Sequence, residues 1–353
     1  MEAVITAPGA QLRERWQEYQ LNHPKVRIRD AATALGVSEA ELVACNVGHG
    51  TLRLRKDFAA LLPRIETLGR VMALTRNDHV VHERHGEYLG VQVRIGHGGT
   101  ALVLGEEIDL RVFLNHWHFG FAVSEGPADA LRHSLQFFDA DGTAVHKIYM
   151  TQHSDMTQYQ ALVTQFQAPE QDDALSLSPV KSLRFHSADD DIDAQALRDG
   201  WDALKDTHDF FPLLRRLKVD RLQALVLAGP TRARQVGTDA LQALFALAAE
   251  KDIDIMVFVG SAGVIQIHSG KVRKLVTVGD WFNVLDPDFN LHVRSHAIAS
   301  SWVVRKPTED GVVTSLECFD EDGNLLVQCF GKRKPGIAEN PAWQAIVAQV
   351  ETP

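Results

Sequence analysis

The sequence predicts an α+β fold built twice in tandem, each half an antiparallel sheet with helices packed against it. Three observations carry this. Near the end of each half, Leu135, Phe137, Phe138, Asp139, Ala140, Asp141, Gly142 parallel Leu316, Cys318, Phe319, Asp320, Glu321, Asp322, Gly323 at a constant offset of 181 (319 − 138). The same offset aligns Leu110 and Val112 with Leu291 and Val293, within LRVFLNHWHFGFAV and LHVRSHAIASSWVV, which alternate as strands do. Helical patterns bracket both sets of strands.

In chain order, Leu12, Arg13 and Trp16 open the first helix and are matched by Leu197, Arg198 and Trp201. Next comes an insertion around Val26 to Arg53, where HPKVRIRDAATALGVSEAELVA reads as helix, turn and helix. Ala31 and Ala32 allow close packing, Leu35 and Gly36 form the turn, and Ser38 with Glu41 makes a capping box. Asp57, Phe58, Leu61 and Leu62 match Asp209, Phe210, Leu213 and Leu214. The Asp-x-Asp-Gly turns suit hairpins, because Gly takes positive φ without penalty and Asp caps the turn. Tyr159 to Val163 and Trp343 to Val347 close the halves with apolar residues at helical spacing. The second half has its own insertion, including a helix at Thr238 to Glu250. The expected domains are 1–167, a linker at 168–193 with Pro169, Pro179 and acidic groups, and 194–353. Within the linker, LSLSPVKSLRF keeps some strand-like alternation.

Length and composition fit two ordinary domains: 353 residues, 45% hydrophobic. An excess of 46 acidic over 36 basic residues disfavours a polyanion coat and makes nucleic acid an improbable partner. Cys45, Cys318 and Cys329 form neither a disulfide framework nor a zinc knuckle, and fit a reducing compartment. With no signal-like or membrane-spanning stretch, the expected location is the cytoplasm, without stable membrane insertion. Gly96, Gly98 and Gly99 lack the residues of a phosphate-binding loop.

Several histidines cluster, namely His79, His82, His85, His97, His116, His118, His133 and His146, and a metal reading competes with a structural one. In WDALKDTHDFFPLLRRL, Thr207 or Asp209 can cap the following helix, with Pro212 in its first turn. His208 then sits at a helix boundary, as an imidazole beside Phe210 and Phe211 that can ligate haem iron or simply cap and pack. Arg111 shares a strand face with Phe113, opposite Leu110 and Val112, and can face a ligand or pair with Glu106, Glu107 or Asp109. The run Gly331 to Pro335, with Lys332, Arg333 and Lys334, suits small anions or a solvated loop. The helix-turn-helix at 23–44 gives an alternative, a DNA-binding regulator, although Ser38 to Leu42 would present acids where readers present Arg, Lys, Asn or Gln.

Together, RDAATALGVSEAEL, GEEIDLRVFLNHWHFGFAV, WDALKDTHDFFPLLRRL and LLVQCFGKRKPG resemble the HemS, HmuS, ChuS and PhuS family, haem-binding and haem-degrading proteins of bacterial haem uptake. The resemblance spans essentially the entire chain. It implies a haem cleft between the halves and haem b as the ligand. It further implies that His208 ligates the iron on the proximal side, while Arg111, with Phe113 beside it, acts on the distal ligand or water. Arg221, Lys306, Gln328 and Arg333 would be basic and polar pocket residues, and Phe258 and Phe330 apolar ones. Val327 stands where some members carry a tyrosine.

The family implies a haem chaperone that sequesters and delivers imported haem. It equally implies an enzyme that opens the porphyrin to release iron, using O2 and an external electron donor. An inner-membrane haem ABC transporter and a downstream haem oxygenase are the implied protein partners.

Overall fold

The computed structural model describes residues 9–96, 99–127, 129–180, 184–185, 187–333 and 336–350. His97 of the histidine series, Gly98, Lys181 to Leu183 of LSLSPVKSLRF, and Lys334 with Pro335 of the basic run lie outside the described residues. The chain divides into two units. Unit 1 comprises 1–76, 83–181 and 261–266, and unit 2 comprises 77–82, 182–260 and 267–353.

Unit 1 begins with α1 (Gly9–Asn22), α2 (Ile28–Leu35) and α3 (Glu39–Ala44), then β1 (Thr51–Leu54) and α4 (Phe58–Leu61), which continues as a 3-10 helix to Leu68. Strands β2 (Gly69–Arg76), β3 (Val80–Gly86), β4 (Gln92–Arg94), β5 (Thr100–Leu104), β6 (Asp109–Phe113), β7 (Phe119–Glu125), β8 (Arg132–Phe138) and β9 (Ala144–Ser154) lead to α5 (Met156–Phe166). The strands run in the order β1-β7-β8-β9-β2-β3, with β6-β5-β4 alongside one another.

Unit 2 begins with α6 (Ala194–Asp202), a 3-10 turn (Thr207–Asp209), α7 (Phe210–Leu217) and α8 (Arg221–Ala228), followed by β10 (Ala233–Val236) and α9 (Ala240–Glu250). Then come β11 (Ile255–Gly260), β12 (Val264–Gly270), β13 (Leu275–Val278), β14 (Trp281–Leu285), β15 (Phe289–Arg294), β16 (Ser300–Thr308), β17 (Gly311–Phe319), β18 (Leu325–Gly331) and α10 (Pro341–Val350). Its orders are β10-β16-β17-β18-β11-β12 and β15-β14-β13, so each strand takes the place of the one nine earlier in unit 1.

The repeat extends to backbone detail. In the β8–β9 turn, Asp139 N–H donates to Thr143 O at 2.9 Å and Asp139 Oδ1 accepts from Thr143 N–H at 3.0 Å. The β17–β18 turn repeats this with Asp320 and Asn324, at 3.1 and 2.7 Å. Gly142 and Gly323 both have positive φ, 86° and 77°, as such a turn requires. Even the irregularity is copied, since the register slips between Phe137 and Phe138 in one hairpin and between Cys318 and Phe319 in the other.

LRVFLNHWHFGFAV and LHVRSHAIASSWVV are not single strands. A 3-10 turn interrupts each, at Leu114–His116 and Ser295–Ala297, because the chain must leave one group of strands and enter the next. Likewise, no strand forms at 169–180 despite the alternation there; that segment is tied to unit 1 by Arg53 to Asp172 (2.5 Å) and by Ser178 N–H to Ala140 O (2.8 Å).

Helices cover the sheet faces as the apolar spacing predicts. In unit 1, Phe58, Leu61 and Leu62 join Tyr159, Leu162, Val163 and Phe166 over Val71, Ala73, Leu135 and Ile148. In unit 2, α9 and α10 bury Leu244, Phe245, Trp343 and Ile346 against Val257, Leu316, Val327 and Cys329. The opposite face receives Leu197, Trp201, Phe210 and Leu213 over Trp302 and Val304. Each such apolar side chain stabilises by about 1.5–3 kcal/mol. The three cysteines are free and buried, and burial pushes their thiols up, Cys45 to about 11 and Cys318 to about 12. Among the described residues, no helix is long and apolar enough to cross a membrane.

The helix-turn-helix forms as expected. Gly36 is left-handed (φ 69°), and Ser38 and Glu41 cap each other reciprocally at 3.2 and 2.7 Å. Every residue of α3 except Glu41 is buried, with Ala40, Val43 and Ala44 against Phe121 and Phe138. A helix so enclosed cannot enter a DNA groove, so the element works here as a structural insertion.

Candidate functional site

His208 occupies the second position of the 3-10 turn that leads directly into α7. Asp206 caps this turn, its Oδ1 accepting the His208 backbone N–H at 2.7 Å and meeting the ring Nδ1 at 2.5 Å, while Asp209 stands at the N-cap position of α7 without a side-chain capping bond. Asp209 turns back instead, its Oδ2 accepting the Asp206 N–H at 3.0 Å, which completes a capping box. The His208 side chain is 89% exposed. With Nδ1 occupied, Nε2 has no partner among the described residues and is open to solvent. The hydrogen bonds from His208 hold the Asp206 carboxyl below its ordinary range, and the nearby Arg333 adds to the effect.

Beside this turn runs β16. Cross-strand register sets Phe258, Gln328, Glu317 and Trp302 in one row across β11, β18, β17 and β16, with Met256, Phe330, Ser315 and Val304 in the next row on the same face. Lys306 belongs to that face by the two-residue alternation of β16. The expected pocket residues Lys306, Gln328, Phe258 and Phe330 are therefore brought together, and the Phe258 and Phe330 rings meet edge to face at 5.0 Å.

What gathers the polar members is a residue the sequence reading missed. Glu317 is fully buried and accepts from Arg221 Nε and Nη2, both at 2.8 Å, from Lys306 Nζ at 3.0 Å, from Gln328 Nε2 at 2.9 Å and from Ser315 Oγ at 3.1 Å. Burial alone would raise its pKa, but Arg221 and Lys306 hold it well below the usual carboxylate range. Lys306 settles near 8, because burial and Arg221 oppose its charge more than Glu317 supports it. Phe210 caps the cluster, its ring centroid 4.6 Å from Lys306 Nζ and 5.3 Å from Arg221 Cζ. A lone acid between Leu316 and Cys318 in an apolar strand was the available signal, since a buried carboxylate demands a cation.

Arg333 follows β18, and its Nη1 is buried with no partner among the described residues. In unit 1, Arg111 and Phe113 are half-buried on one face of β6 while Leu110 and Val112 are buried on the other, as alternation predicts. The Arg111 guanidinium pairs with Asp109, one of the acids expected to compete for it. Among the described residues, no group of three or more His, Cys, Asp or Glu is arranged to hold a metal ion. His146 instead lies buried between Tyr88 (2.6 Å) and Thr75 (2.9 Å), and burial pushes it down to about 3.

The open imidazole nitrogen of His208, the Phe258–Phe330 pair on the sheet face and the unsatisfied buried guanidinium nitrogen of Arg333 are a donor set that fits haem: one axial ligand, apolar contact for a macrocycle and a cation for a carboxylate. The family model for the haemin-degrading HemS.ChuX domain matches residues 36–166 and 218–350. The chain belongs to this family. Its hemin transport and haem-binding members include the hemin transport protein HmuS of Yersinia pestis, 40% identical over 97% of this chain and 98% of that one. The crystal structure of holo-PhuS, a heme-binding protein from Pseudomonas aeruginosa, superposes with a TM-score of 0.95 at 48% identity, covering 98% and 99% of the two chains. The Escherichia coli O157:H7 heme degrading enzyme ChuS gives 0.90 at 35% identity, over 97% and 99%. The tandem architecture read from the repeat is thus that of HemS-type proteins at full length.

Proposed function

We propose that the chain binds one haem b as cargo, with His208 Nε2 as axial ligand to its iron, and passes it onward in the bacterial cytoplasm. The observation that carries this reading is His208 itself, an exposed imidazole whose Nδ1 is occupied by a carboxylate and whose Nε2 is open. Arg333, Lys306 and Arg221 would favour the propionates, Gln328 would add a polar contact, and Phe258 and Phe330 would line the macrocycle. Arg111 and Phe113 would act on the distal side. Haem would arrive from an inner-membrane ABC transporter and leave to a downstream haem oxygenase. The relatives' descriptions as hemin transport and heme-binding proteins support this.

A second reading, opening of the porphyrin with O2 and an external reductant, is supported by the likeness to a heme degrading enzyme. Bound haem would supply the redox-active iron, and this chain's part would be to fix its axial ligand and offer Arg111 as a distal hydrogen-bond donor.

Titration of the apo-protein with haemin tests both. Wild type should give a saturable one-to-one Soret band that shifts and weakens in His208→Ala; without a stoichiometric band the reading fails. Ascorbate and oxygen, added with catalase, then discriminate: a persisting Soret band supports delivery and its loss supports ring opening. Arg111→Ala should keep most haem affinity but change the distal ligand, and unchanged spectra and turnover would count against its role.

A further inference from the structure

Asp206 does more than start a helix. An aspartate at an N-cap places its carboxylate over the N–H two residues on, and here that residue is His208. One oxygen, Oδ1, therefore takes both the backbone N–H and the ring Nδ1 of the same histidine, at 2.7 and 2.5 Å. Asp209 returns to the Asp206 N–H at 3.0 Å and to the Lys205 N–H at 3.3 Å, so the backbone carrying the carboxylate is itself tied down. Carboxylate and imidazole are both held before any ligand arrives.

We infer that Asp206 is a positioning residue for the axial ligand: it fixes Nδ1 as the protonated ring nitrogen and makes Nε2 of His208 a stronger electron donor to haem iron. The inference rests on the axial assignment proposed above. A carboxylate accepting the far N–H of a ligating histidine sets its tautomer and raises its basicity. An electron-richer ligand favours ferric over ferrous iron, and so lowers the reduction potential. A protein that takes up ferric haem and releases it would gain retention in one oxidation state and looseness in the other.

The test is Asp206→Asn in the full chain loaded with haem. The amide oxygen still accepts the backbone N–H, so apo-protein thermal unfolding should be unchanged, while the negative charge is gone. The iron–histidine stretch of the ferrous complex should move to lower frequency, the midpoint potential should rise, and affinity for ferric haem should fall about 10-fold. Should the asparagine variant unfold early, Asp206→Ser, which also caps, provides the same readouts. His208→Ala is measured in parallel. If it loses the stretch while the Asp206 variants keep wild-type stretch and potential, Asp206 has no such role and the inference is overturned. If His208→Ala retains the stretch, the axial assignment beneath it has failed instead.

Discussion

In unit 1, strands β8 and β9 set Gln136 opposite Lys147; in unit 2, the matching strands β17 and β18 set Glu317 opposite Gln328. The charge on the shared face is reversed, and so is its neutralisation. Lys147 is met by Glu39 from the inserted helix α3, and both side chains are almost wholly buried, at 6% and 4% exposure. Glu317 is met by two cations, Arg221 and Lys306. Burial pulls Lys147 down, but Glu39, with Tyr149 assisting, more than restores it, and its pKa ends above the ordinary value. Lys306 shares its acid and ends near 8. Lys147, the one cation in direct contact with Glu39 among the described residues, keeps its charge, whereas Lys306, which shares direct contact with Glu317 with Arg221, is left short of an anion. The sheet face of unit 2 thus holds two cations around one buried acid beneath α7 and α8.

The largest test of this contrast is Glu317→Ala beside Glu39→Ala. Each strands a buried cation, which costs about 3–5 kcal/mol. Glu317→Ala also leaves the half-buried Arg221 without its acid, and denaturant unfolding should place it as the worse of the pair; the reverse order would break the comparison.

Next in size is a pH effect. With the Lys306 pKa depressed to about 8 from 10.5, the native protein releases between those values a proton that the unfolded chain still holds. Stability should therefore rise with pH across that window, by at most about 1.4 kcal/mol per pH unit from this group. In Lys306→Met that contribution should vanish from unfolding free energies measured at pH 8 and 10. An unchanged slope would mean that Lys306 is not short of an anion.

The smallest effect lies at the duplicated turns. An added Cβ at Gly142 is strained by φ and strikes Ser38, the cap of α3, whereas at Gly323 it meets the flexible end of Arg184. Gly142→Ala should cost about 2 kcal/mol and Gly323→Ala about 1 kcal/mol, read as shifts in thermal unfolding. Equal losses would imply that α3 is not braced on the turn.

Much of this architecture was legible because duplication prints a sequence against itself: the Asp-x-Asp-Gly turns, the closing helices at Tyr159 and Trp343, and the paired Phe58 and Phe210 all fall where the offsets put them. Residue chemistry singled out His208 and the Arg111–Phe113 face as candidates, and the family resemblance supplied the roles expected of them. Glu317 escaped because its partners come from α8, β16, β17 and β18, and no local spacing links Arg221 to Lys306. The role of Asp206 escaped for the opposite reason. Asp206, Thr207 and Asp209 are all plausible caps in sequence, and only the backbone angles choose between them. Strand alternation misled where a 3-10 turn happened to continue the apolar rhythm at Leu114.

The buried sulfurs carry a consequence for oxidative chemistry. Thiolates, not thiols, attack peroxide and disulfides, and with Cys45 and Cys318 raised to about 11 and 12, and Cys329 raised as well, hardly any thiolate exists at neutral pH. A chain that would handle redox-active iron thus keeps its sulfur unreactive. Its odd cysteine count then reports on packing rather than on the redox poise of its surroundings. Among the described residues, a cysteine introduced at the surface would therefore react with thiol-selective labels far faster than the three native ones.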